Sequence, residues 1–173
     1  MKESIGAAWL MIIVMTFITV FSGYLAFSIN YSKSFRVKDG IVERIQKHNG
    51  ITKTGGSITT NTLKDIDAFL NEIGYNAKGN CDKFGGDSGT ELAGINGTSF
   101  TVNPGPRDTF NYCLVKVSGI QTQASAMNAC YYKVIVFFSL QIGSISLFSQ
   151  FHTQGQTQTL YYSTDELFGD RIG

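Results

Sequence analysis

Residues 5–29 run for 25 positions without one Asp, Glu, Lys or Arg, and the run starts almost at the first residue. A helix rises about 1.5 Å per residue, so such a run covers roughly 38 Å, against a bilayer hydrocarbon core of about 30 Å. It is long enough to span with some tilt. Leu10, Met11, Ile12, Ile13, Val14 and Met15 are apolar on every side of that helix, as lipid or a bundle of neighbouring spans requires. The positions expected to meet lipid or another helix are Ile5, Trp9, Ile12, Ile13, Phe17, Val20, Tyr24 and Phe27. Gly6, Ala7, Ala8 and Gly23 are small enough to let a second helix approach closely.

A cleavable secretory signal has a shorter apolar core, a basic leader and a small-residue cleavage site. Here the run is longer, only Lys2 and Glu3 lead it as charges, and Asn30, Tyr31, Ser32, Lys33 follow. The expectation is a retained anchor. Beyond it, Tyr31, Phe35, Lys38, Val42 and Ile45 recur at intervals of 4, 3, 4 and 3, which places them on one stripe of a helix continuing out of the membrane as a stalk. Tyr31, Phe35, Val42 and Ile45 are the expected docking residues of that stalk, and Gly40 is its expected weak point, since a mid-helix glycine costs about 1 kcal/mol. The chain therefore divides into a transmembrane and stalk helix at residues 1–48 and a single small domain at residues 49–173.

Orientation is argued in two directions. Lys33, Arg36, Lys38, Arg44 and Lys47 follow the span while Lys2 alone precedes it, and the positive-inside rule would keep the carboxyl-terminal part in the cytoplasm. Three cysteines, a middle rich in Gly, Asn, Ser and Thr, and a strand-rich end argue for an extracytoplasmic domain with the amino terminus inside. That orientation is the expectation. The formal net charge is +1 with no block of one sign, so a nucleic-acid partner is not expected.

Residues 51–60 read as a linker. A short helix follows, with Thr62 and Asp65 spaced as a capping box, Leu63, Ile66, Phe69, Leu70 and Ile73 as its apolar face, and Gly74 as its stop. Residues 74–106 hold both prolines and many glycines and are expected to be mostly loop. Residues 112–118, 130–141, 145–153 and 156–162 are β-branched and aromatic between polar or glycine-containing breaks, and 100–102 adds an edge strand. The fold class is α+β: a long amino-terminal helix, one short helix, then a small antiparallel sheet arranged as a meander.

A lone amino-terminal span running into a helical stalk and then a small antiparallel sheet resembles the type IV pilin-like architecture. The ending from Tyr132 to Ile142, then Ile145-Ser146-Leu147-Phe148 and Thr153-Gln154-Gly155-Gln156-Thr157, resembles the last hairpin of TadE-like pilus-assembly proteins. With Leu70-Asn71-Glu72-Ile73-Gly74-Tyr75 and Cys81, the chain is similar to an uncharacterised family of single-span proteins of low-GC Gram-positive bacteria. The resemblance implies a non-enzymatic structural or assembly component of a Tad-type or type IV-like pilus or secretion filament. Its partners would be the membrane and other pilin-like subunits, met through the amino-terminal helix, with no cofactor and no small-molecule substrate. One departure is plain: the glutamate that pilins carry early in the apolar segment is replaced by Trp9, with Glu3 lying outside the run, and no prepilin-type leader is seen. An assembly or minor component is therefore expected rather than a major filament subunit.

Cys81, Cys113 and Cys130 allow three pairings in an oxidising compartment. The resemblance implies Cys81 with Cys113, a bridge that would tie the glycine-rich segment to the first strong strand. No CxxC or Cys/His spacing suggests a metal. Gly86-Asp87-Ser88-Gly89 echoes a protease nucleophile loop, but His48 and His152 are the only histidines and neither lies in a matching pattern. Asp82, Asp87 and Glu91 lack the alternation of an EF-hand, and Asn96-Gly97-Thr98 is a glycosylation acceptor only in a eukaryotic secretory host. The competing function is a single-pass surface binding module, adhesin-like, whose segment 79–106 recognises a ligand.

Overall fold

The computed structural model describes residues 2–51, 61–85, 90–121, 128–142 and 145–162. Helix α1 (Lys2–Lys47) is unbroken through span and stalk, and α2 (Asn61–Glu72) lies against its carboxyl-terminal part. Among the described residues six strands follow: β1 (Thr90–Asn96), β2 (Ser99–Val102), β3 (Tyr112–Gln121), β4 (Asn128–Ile142), β5 (Ile145–Gln156) and β6 (Leu160–Tyr162). They form one antiparallel sheet in the order β2-β1-β3-β4-β5, with β6 paired to the start of β4. The architecture is the expected α+β class.

Both faces of this sheet are covered, which is why β3 and β4 read as nearly continuous apolar runs instead of alternating ones. On one face Tyr112, Leu114, Tyr132, Val134 and Val136 meet Val37, Ile41 and Ile45 of α1 and Leu63, Ile66 and Leu70 of α2. On the other, Cys113, Val115, Ile135 and Phe137 pack with Cys81, Leu92 and Phe110. The main core thus crosses residue 48, because the last three turns of α1 supply part of it.

Within α1 the buried stripe is Ser34, Val37, Ile41 and Ile45, offset from the stripe read from the sequence. Ile45 is fully buried, Val42 and Phe35 lie at its margin, and Tyr31 is 43% exposed. Spacings of 3, 4 and 4 place Val37 and Ile41 toward the sheet, and the 4, 3, 4, 3 pattern missed them by following the aromatic residues. Gly40 does not interrupt the helix. Its missing side chain leaves room for the Phe69 ring of α2, over which the Arg44 guanidinium sits at 3.8 Å while Arg44 Nη1 donates to the Gly40 carbonyl at 3.0 Å.

The capping box read at Thr62 and Asp65 does not form. Helix α2 begins one residue earlier, and the Thr62 hydroxyl donates to the Gly50 carbonyl at 3.0 Å, tying α2 to the end of α1. Asp65 instead faces α1, with His48 Nε2 at 3.1 Å, Arg44 Nε at 3.6 Å and Lys47 Nζ at 3.9 Å. These contacts, led by the His48 hydrogen bond, hold the Asp65 carboxyl below its ordinary value. Gly74 does end the helix: its φ of +61° lets Tyr75 N–H reach back to the Leu70 carbonyl at 2.9 Å.

Residues 74–106 are mostly loop as expected, but they also hold a strand that the sequence reading did not give, β1, beside the expected edge strand. They contain β1 and β2, with Leu92, Ala93 and Ile95 in the two cores. The strand Thr-Glu-Leu-Ala-Gly-Ile-Asn has weak intrinsic preference, and β1 forms through tertiary pairing with β3 on one side and β2 on the other. Gly94 is a close-approach glycine, its bare Cα seating the Phe110 ring. The linker read at 51–60 lies outside the described residues apart from Ile51, which joins the main core.

Candidate membrane and assembly surface

From Gly6 onward the amino-terminal half of α1 touches almost nothing in its own chain. Trp9, Ile12, Ile13, Phe17, Val20 and Tyr24 are between 60% and 68% exposed. Ile5 is helical, but its side chain lies outside the described residues. Burying each such side chain is worth about 1.5–3 kcal/mol, so covering six of them is worth about 10 kcal/mol or more, comparable to the whole stability of a small domain. That surface has to be covered. Three of its hydroxyls are already spent: Thr16, Thr19 and Ser22 donate to the carbonyls of Ile12, Met15 and Ile18 at 2.8, 2.9 and 2.7 Å, so these side chains carry no unsatisfied donor into lipid. Among the described residues this is the one helix long and apolar enough to cross a membrane, and it fits a single-pass membrane protein.

The junction of span and sheet is aromatic. Phe27 lies 6.1 Å from Phe138 and 5.7 Å from Phe151, Tyr31 lies 6.0 Å from Phe138 and 4.7 Å from Phe35, and Phe138 stacks on Phe151 at 5.3 Å. Trp9 is about 22 Å from Tyr24 and about 33 Å from Tyr31 along the helix, which brackets the roughly 30 Å hydrocarbon core. Aromatic residues at both ends of a span mark the two interfaces. The cluster around Phe27 and Phe138, with Lys33 just beyond, lies at the end of the apolar run where such an interface is expected.

Within the sheet domain, Cys81 and Cys113 are joined, their Cα atoms 5.7 Å apart and 32 residues apart in sequence. The bridge ties a 3-10 turn (Asp82–Phe84) to β3. Cys130 is buried and unbridged, and burial pushes its thiol pKa up, the Lys116 charge acting in the opposite sense. Tyr75 makes a second tie. Its hydroxyl donates to the Phe137 carbonyl at 2.7 Å and accepts from the Phe137 N–H at 3.1 Å, with the Asn111 carbonyl at 3.0 Å, and so takes the place of the next rung after Tyr112–Val136. Burial pushes the Tyr75 phenol well above its ordinary value.

The remaining candidates are scattered. His48 serves Asp65, whereas His152 is exposed on β5 with its ring 5.0 Å from Phe84. Glu91 pairs with Lys116 at 3.7 Å, Asp82 lies in the 3-10 turn, and residues 86–89, with Asp87, lie outside the described residues. Asp82 and His152 line one open pocket, and the loop that echoes a protease nucleophile lies outside the described residues. The signal that reasoning from sequence missed is the pairing of Phe27 with Phe138 and Phe151, which no local pattern carries. No family model matches the chain, and no curated protein or solved structure is detectably similar to it.

Proposed function

We propose that this chain is a non-enzymatic, pilin-like component of a Tad-type or related pilus or secretion filament, held by its amino-terminal helix while its sheet domain meets partner subunits outside the cytoplasm. One observation carries this reading: a single unbroken helix is bare over its amino-terminal half and wedged into an antiparallel sheet over its carboxyl-terminal half. That division of one helix between partners and head is the arrangement on which pilin-like assembly depends. The Cys81–Cys113 bridge supports an oxidising, extracytoplasmic setting for the domain. Trp9 in place of an early glutamate favours an assembly or minor subunit.

The adhesin-like alternative has less free chain to work with, because segment 79–106 gives β1 and β2 to the sheet. Membrane extraction in mild detergent followed by electron microscopy and affinity purification tests the proposal. Recovery in filaments, or with a secretion ATPase and its platform proteins, is the expected result. A solitary monomer without such partners overturns it.

A further inference from the structure

We infer that the β4–β5 hairpin is a second membrane contact, entering the headgroup layer and the top of the acyl chains beside α1. The inference rests on α1 spanning the bilayer. Two tie points give the hairpin's direction. Gly155 of β5 sits under the Lys38 stem, and Phe151 sits beside Phe27. Those points are four strand residues apart, about 13 Å, and eleven helix residues apart, about 16 Å, so β5 runs nearly along α1 and the hairpin points toward the span.

Beyond Phe138 and Phe151 the strands continue, pairing Leu140 with Leu147 and Ile142 with Ile145. Four residues past Phe138 add about 13 Å, which carries the end of β4 past the aromatic cluster and alongside the uncharged run of α1. No Asp, Glu, Lys or Arg occurs between Lys133 and Asp165.

A protruding sheet edge in water is ordinarily guarded by charge or proline. This one has neither. Among the described residues no strand pairs with the β3-side edge of β4 beyond Val136. Open backbone edges are excluded from the centre of the hydrocarbon, which limits the hairpin to a depth where water and lipid carbonyls still reach. Continuity with the bare face of α1 makes lipid the cover that these observations favour over a protein partner.

The test is depth-dependent fluorescence quenching on the full chain, Cys130→Ser background, reconstituted in phosphatidylcholine–phosphatidylglycerol vesicles. An NBD label is placed by Ile142→Cys, Ser146→Cys, Val20→Cys or Gln154→Cys, and the lipids carry a quencher either just below the glycerol or near the chain end. Labels at 142 and 146 are expected to be quenched at least threefold more than at 154, and more by the shallow quencher than by the deep one. Ser146 reports a similar depth from the neighbouring strand β5, so a misfolded variant at 142 does not remove the test. Quenching at 142 and 146 equal to that at 154, with Val20 quenched, overturns the hairpin contact and leaves the anchor standing. Loss of quenching at Val20 as well overturns the anchor itself. Labels shielded from water yet unquenched by lipid also overturn the inference, and assign the hairpin to a protein partner.

Discussion

Reducing the Cys81–Cys113 bridge tests the packing logic of the domain most directly. Both cysteines are fully buried, and the bridge closes a segment of 32 residues that contains β1 and β2. In the chain-entropy description, a loop of that length restricts the unfolded chain by about 12 cal/mol/K, or about 3.7 kcal/mol at 25 °C. The unit that unfolds, from the stalk of α1 to β6, is about 130 residues, with an unfolding entropy near 0.27 kcal/mol/K, so Tm is expected to fall by about 14 °C. The assay is thermal unfolding of the full chain in detergent, followed by near-ultraviolet circular dichroism with and without a phosphine reductant. Cys130→Ser serves as a control, and its response to reductant should match that of the parent chain. A fall of less than about 4 °C, worth about 1 kcal/mol, would refute the claim that this loop is a costly segment to order. Peptide mapping that found Cys130 in the bridge would refute the pairing itself.

Ile41→Ala removes a fully buried side chain between α1 and the sheet and is expected to cost about 2–5 kcal/mol in chemical unfolding, several times the cost of Tyr31→Ala on the exposed flank. Tyr75→Phe leaves the buried Phe137 carbonyl and N–H without their hydroxyl partner and should cost about 1–3 kcal/mol, with faster hydrogen exchange at the Phe137 amide. Asp65 has a lowered pKa in the folded chain, so its stabilising effect is complete above the unfolded carboxylate value near 3.8 and is lost as pH falls through the lower folded value. Asp65→Asn should flatten that acid limb of a stability-against-pH curve, and an unchanged limb would remove the His48–Asp65 contact from the account.

Several elements are legible in the sequence for identifiable reasons. The span shows itself because lipid demands a long charge-free run, and α2 because Leu63, Ile66 and Leu70 repeat at helical spacing before a glycine stop. Strands β3 and β4 stand out because they are buried on both faces. By contrast β1 is hidden: Ala93 and Gly94 are chosen for close approach to neighbours distant in sequence, and intrinsic preference points elsewhere. The stalk stripe misleads for a related reason. Tyr31 and Phe35 are large enough to look like core, yet they belong to an aromatic cluster with Phe27 and Phe138, and smaller Val37 and Ile41 fit the narrow gap over the sheet. Thr62 and Asp65 have cap-like spacing, but the end of α1 outcompetes their own helix for both side chains.

Because Val37, Ile41 and Ile45 are wedged beneath β4 without a break in α1, head and bare shaft share one continuous rod. A pull on the head would pass into whatever covers that shaft, with no slack tether to absorb it. A version trimmed to start after His48 would forfeit three wedges of its own keel.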